Sequence, residues 1–252
     1  MKRFFERLHQ GHRTLAWPRA PVTLPPRFRG LPQIDAGKCQ GGCTLCADAC
    51  PVGAIATRPI AIDMGKCLFC PVCTEVCPTG AMTLSQDFRL AASSRTALVT
   101  QGHDFARAQA MGDQLRRLLG RSLKLRQVCA GGCGGCEADL NVASNVVVFD
   151  LGRFGVQFVA SPRHADGIVV TGPVSRNMES ALRATYAAVP SPKIVIVLGA
   201  CAIGGGPFID SPDGRNGLPD DIPVDLFVPG CPPHPMTILD GILRLLGRLP
   251  VA

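Results

Sequence analysis

From Leu123 onward the apolar residues fall into short unbroken runs separated by polar stretches of helical spacing. Leu123–Val128, Val146–Phe149, Gly167–Thr171, Lys193–Leu198 and Val224–Val228 have strand length and are rich in β-branched residues, while Ser175–Ala188 and Pro235–Leu246 repeat apolar positions as helices do. Strand, loop and helix in alternation predict a doubly wound α/β sheet, in which ligands collect beyond the carboxyl ends of the strands. Upstream, Asp104–Leu119 sets Phe105, Ala108, Met111, Leu115, Leu118 and Leu119 at helical spacing, with Arg116, Arg117 and Arg121 toward its end. It reads as a linker followed by a helix packed on that sheet. Residues 1–33 have no such pattern after a short amphipathic start; Pro18, Pro21, Pro25, Pro26 and Pro32 predict an extended arm.

Composition adds little to the fold but narrows the class. At 252 residues and 46% hydrophobic, the chain has material for a sizeable core. Its apolar runs stay well below the roughly 20 residues that span a bilayer. Met1–Trp17 mixes charge with Phe4, Phe5 and Leu8 and lacks the continuous apolar stretch of an export signal, so a cytoplasmic location is expected. The net charge of +7 is concentrated in the arm, where Lys2, Arg3, Arg7, Arg13, Arg19, Arg27 and Arg29 face Glu6 alone. Such an arm is expected to fold against a partner subunit, with an anionic membrane surface or bulk solvent as alternatives.

The thirteen cysteines change the picture most. Eight form a repeat: Cys39-x3-Cys43-x2-Cys46-x3-Cys50-Pro51, then Cys67-x2-Cys70-x2-Cys73-x3-Cys77-Pro78. Three close thiolates wrap one corner of an iron-sulfur cube, and the fourth, before proline, reaches the other cube. Cys39, Cys43, Cys46 and Cys77 are thus expected to hold one [4Fe-4S] cluster, and Cys67, Cys70, Cys73 and Cys50 a second. Zinc would need isolated quartets and explains neither the third cysteine nor the Cys-Pro. The scattered spacings of a disulfide scaffold are missing too. The repeat resembles the bacterial dicluster ferredoxin domain, a small α+β fold. It departs from that pattern by one extra residue in Gln40-Gly41-Gly42, expected to bulge out.

Four more thiols gather elsewhere. Cys133 and Cys136 lie in the glycine-rich loop after the first predicted strand, and Cys201 and Cys231 follow two later strands. All fall at one edge of the predicted sheet, a plausible buried cluster site. Cys129 is left over and reads as a free thiol. Gly204-Gly205-Gly206 has no following Gly-Lys-Ser/Thr and no G-x-G-x-x-G accompanies it, so no nucleotide is expected. Nor is nucleic acid, since the basic arm lacks aromatic interleaving.

Residues 126–249 resemble the small subunit of [NiFe]-hydrogenases of the energy-converting, formate-hydrogenlyase type, a family related to the complex I subunit that carries the terminal cluster. The resemblance rests on Cys133, Cys136 and Glu137, on Asp150, Arg153, Phe154 and Gly155, on Pro162 to Asp166 and Val170-Thr171-Gly172, on Gly199 and Cys201, and on Pro229-Gly230-Cys231-Pro232-Pro233. It implies a proximal [4Fe-4S] cluster on Cys133, Cys136, Cys201 and Cys231. Glu137, Arg153, His164 and His234 are candidates for the surroundings of that cluster or an interface. Complex I relatives have two adjacent cysteines where this chain has Cys133-Gly-Gly-Cys136. The first 90 residues, including Phe28-Arg29-Gly30, resemble the two-cluster subunit of the same complexes, which implies a fusion.

The expected organisation is an arm (1–33), a dicluster ferredoxin domain (34–90), a linker and helix (91–122) and a doubly wound, flavodoxin-like α/β domain (123–252). The expected function is an electron relay through three [4Fe-4S] clusters to a hydrogenase-type large subunit, within a complex held on the cytoplasmic face of the inner membrane by a membrane module. No residue of this chain is expected to make or break substrate bonds. The alternatives are the same relay in a complex I-like oxidoreductase whose large subunit lacks nickel, and a freestanding ferredoxin-like carrier.

Overall fold

The computed structural model of the protein describes residues 2–11, 13–102 and 105–249. A helix, α1 (Lys2–Gln10), precedes the extended arm. The cysteine repeat folds as β1 (Pro32–Ile34), α2 (Leu45–Asp48), β2 (Ile55–Thr57), β3 (Ile60–Asp63), α3 (Val72–Glu75) and β4 (Met82–Leu84), with β5 (Val99–Thr100) supplied by the linker. β1 pairs antiparallel with β4, tying the ends of the repeat together, and β2, β3 and β5 form a second antiparallel sheet. The bulge expected at Gln40-Gly41-Gly42 is a tight turn closed by the Cys43 N–H on the Gln40 carbonyl, with Gly42 at φ 85°.

The remainder comprises α4 (Asp113–Leu119), β6 (Leu123–Cys129), α5 (Gly135–Ala143), β7 (Val156–Phe158), β8 (Gly167–Thr171), α6 (Arg176–Ala188), β9 (Ile194–Leu198), α7 (Ala200–Gly204), β10 (Leu226–Val228) and α8 (Pro235–Leu245). Its five strands are all parallel, in the order β10-β9-β8-β6-β7. Counted from β6 this is 2-1-3-4-5, an order of doubly wound sheets whose crevice opens where it reverses, between β6 and β8. β8 and β9 are buried at every position, which is why they read as unbroken apolar runs.

Two expectations change. Val146–Phe149 is a loop, not a strand, and β7 forms further on; Val146, Val147 and Val148 are exposed. The predicted Asp104–Leu119 helix shrinks to α4. Asp104 lies outside the described residues, and Ala108 and Met111 are buried in an extended segment whose N–H groups donate to Ala91 and Leu245.

The two halves share a core. One face of the parallel sheet packs with α5, α8 and the arm, where Leu15, Trp17, Val22 and Leu24 lie against buried Leu125, Leu151, Leu239 and Leu243. The other face packs with α6 and with the cysteine-repeat region itself: Leu31, Met64, Phe69 and Leu98 sit in one cluster with Val128, Ile168, Val170 and Leu182. The linker adds an antiparallel bridge, Ala92 to Phe227, at the β10 edge. The arm thus covers its own chain: the Leu15 N–H donates to the Val148 carbonyl, Trp17 meets Phe88 edge-on, and Phe28 meets His234 edge-on.

Candidate metal centres

Two cavities in the cysteine repeat are each lined by four thiols drawn from both copies. Cys39, Cys43 and Cys46 share one with Cys77; Cys67, Cys70 and Cys73 share the other with Cys50. The fourth cysteine of each copy crosses over because α2 and α3 pack side by side and carry it past its own loop. The rest of each lining is mainly apolar: Leu45, Ile60 and Met82 in the first, Val52, Ile55, Ile62 and Leu84 in the second. The cavities adjoin, for Cys46 and Cys73 lie in one apolar cluster with Ile62 and Met82.

Burial raises the Cys67 thiol to about 12, with further upward pressure from Cys73, Cys50 and Cys70; Cys73 rises to about 11 by burial, then by the nearness of Cys70, Cys50 and Cys46. Bare thiols crowded like this stay protonated at neutral pH, so their ionisation requires positive charge at the centre. Backbone donors already face the sulfurs: the Ala54 N–H lies 3.3 Å from Cys50 Sγ and the Phe69 N–H 3.3 Å from Cys67 Sγ, as N–H groups do around cluster thiolates. Among the described residues no three His, Cys, Asp or Glu side chains converge as a single metal ion needs. Four thiols lining one cavity fit a [4Fe-4S] cluster, in keeping with thiolate ligation of all four irons. Such a cluster supplies one-electron redox chemistry when bound.

The third group forms at the carboxyl edge of the parallel sheet. β6 ends at Cys129; a glycine turn follows, with Gly134 at φ 85°, and delivers Cys133 just before α5 and Cys136 in its first turn. Cys201 sits in the first turn of α7 and is buried; Cys231 follows β10 and is exposed, as is Cys133. Burial raises Cys136 strongly, reinforced by Cys201, Glu137, Cys231 and Cys133, and raises Cys201 to about 11, reinforced first by Cys231 and Cys133. The four thiols are therefore mutual neighbours and fit the same kind of group. Gly199 makes room for them: it has φ 93°, and a Cβ there would stand 2.5 Å from Cys136 Sγ.

The remaining predicted residues separate. Glu137 accepts from Thr171 Oγ1 and hydrogen-bonds with Cys129; although burial alone would raise its carboxyl, these bonds hold it below the usual range. Cys129 is thereby occupied by Glu137, and Thr171, the last residue of β8, is a partner that sequence spacing does not reveal. His234 caps α8, its Nδ1 accepting the Met236 N–H at 3.1 Å, and lines a cavity of about 250 Å³ with Cys231, Asp139, Phe69 and Arg29. His164 precedes β8 and so lies at the edge where the strands begin, a strand's length from the thiols. Arg153 binds the arm, donating to the carbonyls of Leu15 and Trp17. Neither residue belongs to the third thiol group.

Residues 133–245 match the family model described as the 20 kDa subunit of NADH ubiquinone oxidoreductase, and residues 31–55 match a 4Fe-4S binding domain. A probable membrane-bound hydrogenase subunit of Pyrococcus furiosus is 45% identical over 136 residues, covering 54% of this chain and 81% of that protein. The chain belongs to this 20 kDa subunit family and is an oxidoreductase subunit. Formate hydrogenlyase subunit 7 of Escherichia coli is 41% identical over 55% of this chain and 54% of its own length. A subunit of the NADH-quinone oxidoreductase of Geotalea daltonii is 42% identical over 45% of this chain and 66% of its own length. The family match contains Cys133, Cys136, Cys201 and Cys231; the shorter match contains Cys39, Cys43, Cys46 and Cys50.

Proposed function

We propose that the chain is the electron relay of a membrane-associated [NiFe]-hydrogenase complex, passing electrons through three [4Fe-4S] clusters to or from a catalytic large subunit. The observation that carries this reading is the crossed lining of the two repeat cavities together with the third thiol group at the sheet edge. Cluster 1 takes Cys39, Cys43, Cys46 and Cys77; cluster 2 takes Cys67, Cys70, Cys73 and Cys50; cluster 3 takes Cys133, Cys136, Cys201 and Cys231. The chain's own work is to space these groups, direct N–H donors at sulfur and keep water away, which together set potentials. No side chain here performs bond-making chemistry.

The large subunit docks on the cluster 3 edge. Cys133 and Cys231 are exposed there, and α5, which starts at that cluster, continues into the exposed Val142, Val146, Val147 and Val148, with Val146 at 71%. Apolar surface of this kind marks a protein interface. No helix among the described residues is long and apolar enough to cross a membrane. In this reading, partner subunits hold the chain on the cytoplasmic side of one. The likeness to two hydrogenase-type subunits and the Cys133-Gly-Gly-Cys136 spacing favour a nickel-bearing partner. The likeness to the NADH-quinone oxidoreductase subunit favours the alternative, the same relay serving a nickel-free large subunit. Metal analysis of the natively purified complex decides: about twelve irons per chain with nickel supports the first, about twelve without nickel the second, and far fewer irons overturns both.

A further inference from the structure

The cysteine repeat extends further upstream than its first cysteine. Ile34-Asp35-Ala36-Gly37-Lys38-Cys39 and Ile62-Asp63-Met64-Gly65-Lys66-Cys67 are two copies of one turn, Ile-Asp-x-Gly-Lys-Cys. In both, the aspartate carbonyl accepts the lysine and cysteine N–H groups and its carboxylate accepts the glycine N–H, so the aspartate shapes the approach to the first cluster cysteine. The copies then diverge. Asp35 pairs with its own Lys38 at 3.0 Å on an open surface, the side chains 48% and 62% exposed. Asp63 is taken by Arg95 from the linker, in a two-pronged pair at 2.7 and 2.6 Å, with exposures of 20% and 33%.

Arg95 arrives at the place where the two halves of the protein touch. A Cβ on Gly65 would stand 2.8 Å from the Arg95 guanidinium carbon and 2.7 Å from Ile203 Cγ2; one on Gly204 would stand 3.2 Å from Lys66 Cγ and 3.7 Å from Arg95 Nη2. The turn leading to Cys67 is therefore pressed onto α7, the helix that carries Cys201, and the guanidinium is wedged in that seam. Lys66 is released from the role its counterpart Lys38 has and lays its stem along Gly204; no ion pair of Lys66 occurs among the described residues. Among the described residues, the first copy has no such seam and no such arginine.

We infer that Arg95 is the charge that sets the electron level at the junction of clusters 2 and 3, with Asp63 holding its guanidinium in the seam between them. This rests on the three-cluster reading above. A reduced cluster carries one more negative charge than an oxidised one, so a half-buried cation beside it favours the reduced form, and the carboxylate that holds the cation opposes it.

The two members of the pair therefore act with opposite sign, which a purely structural clamp would not. The test is an anaerobic redox titration of the full-length protein, followed by electron paramagnetic resonance, in wild type, Arg95→Gln, Arg95→Lys and Asp63→Asn. The expected result is a fall in the midpoint potential of cluster 2 or 3 in Arg95→Gln, recovery in Arg95→Lys, a rise in Asp63→Asn, and no change in cluster 1. Shifts of the same sign in Arg95→Gln and Asp63→Asn, or none, with iron content intact, would overturn the role of Arg95 alone. Iron far below about twelve per chain in the wild type would overturn the cluster reading and this role with it.

Discussion

Arg153 holds Trp17: its Nη2 donates to the Trp17 carbonyl at 2.9 Å across 136 residues of sequence, while Nη1 takes the Leu15 carbonyl at 2.7 Å. The side chain fastens the start of the arm to the turn after α5, and Phe154 beneath it adds a cation-π contact at 4.6 Å. Replacing Arg153 by Ala removes two charge-assisted bonds at an exposed site, a loss of about 1 kcal/mol of arm docking. Opening of the arm then rises roughly fivefold, and limited trypsin digestion should cut after Arg19 correspondingly faster, with the iron content unchanged. Equal cleavage rates would refute the clamp.

Crossed ligand sets make an unusual demand on single cysteine variants. Cys77→Ala lies in the second copy but should abolish cluster 1, and Cys50→Ala lies in the first but should abolish cluster 2. Each is expected to retain about eight irons, and the surviving resonance signals should be complementary. Loss of the cluster built by the same copy would reverse the assignment.

Gly199 offers a test of cluster 3 that leaves every cysteine in place. Gly199→Ala adds a methyl 2.5 Å from Cys136 Sγ at φ 93°, where a side chain also costs about 1–2 kcal/mol of backbone strain. The protein should fold but lose about a third of its iron. Gly112→Ala, whose added methyl meets nothing within 4 Å, serves as the control and should keep it all.

Burial holds His234 below its ordinary pKa, and its Nδ1 is committed to the Met236 N–H, with Phe28 and Phe149 edge-on to the ring. A depressed folded pKa means that the unfolded chain binds the proton more readily. The stabilisation is complete above about 6.5, the unfolded value, and is lost as pH falls through the folded one. Urea midpoints measured anaerobically at pH 8 and pH 6 should therefore fall with pH, and His234→Asn, which keeps a helix-capping side chain, should flatten the dependence. A variant as pH-sensitive as the wild type would assign the effect elsewhere.

What the sequence disclosed and what it hid follow from how local each constraint is. The grouping of the eight repeat cysteines around two cavities and the runs of β8 and β9 are legible because closely spaced thiols and doubly buried strands are encoded within a few neighbouring residues. Val146–Phe149 misled because its valines face outward, a property of surface and not of period. The predicted helix from Asp104 failed because Ala108 and Met111 spend their N–H groups on Ala91 and Leu245, partners that no local pattern names. His164 stands in a segment that resembles the family, but it precedes β8, and strand direction places it at the edge opposite the thiols. The Asp63 turn could have been found by carrying the repeat four residues upstream, but its Arg95 partner could not, because both copies keep the lysine in sequence and diverge only in the fold. The arm was read as a segment that folds against a partner subunit; from Leu15 to Phe28 it lies on its own chain, through contacts far apart in sequence that no local pattern names.

The core shared by the two halves has a consequence for how the protein is made. Met64, Phe69 and Leu98 emerge from the ribosome long before β8, β9 and α6, which cover them, so the nascent first half shows a greasy face until most of the chain has been synthesised. The arm, translated first of all, waits longer still for Arg153. The seam and the seat of the arm can therefore close only after β8, β9, α6 and Arg153 have been made, so the contacts that join the two halves are among the last the chain can form.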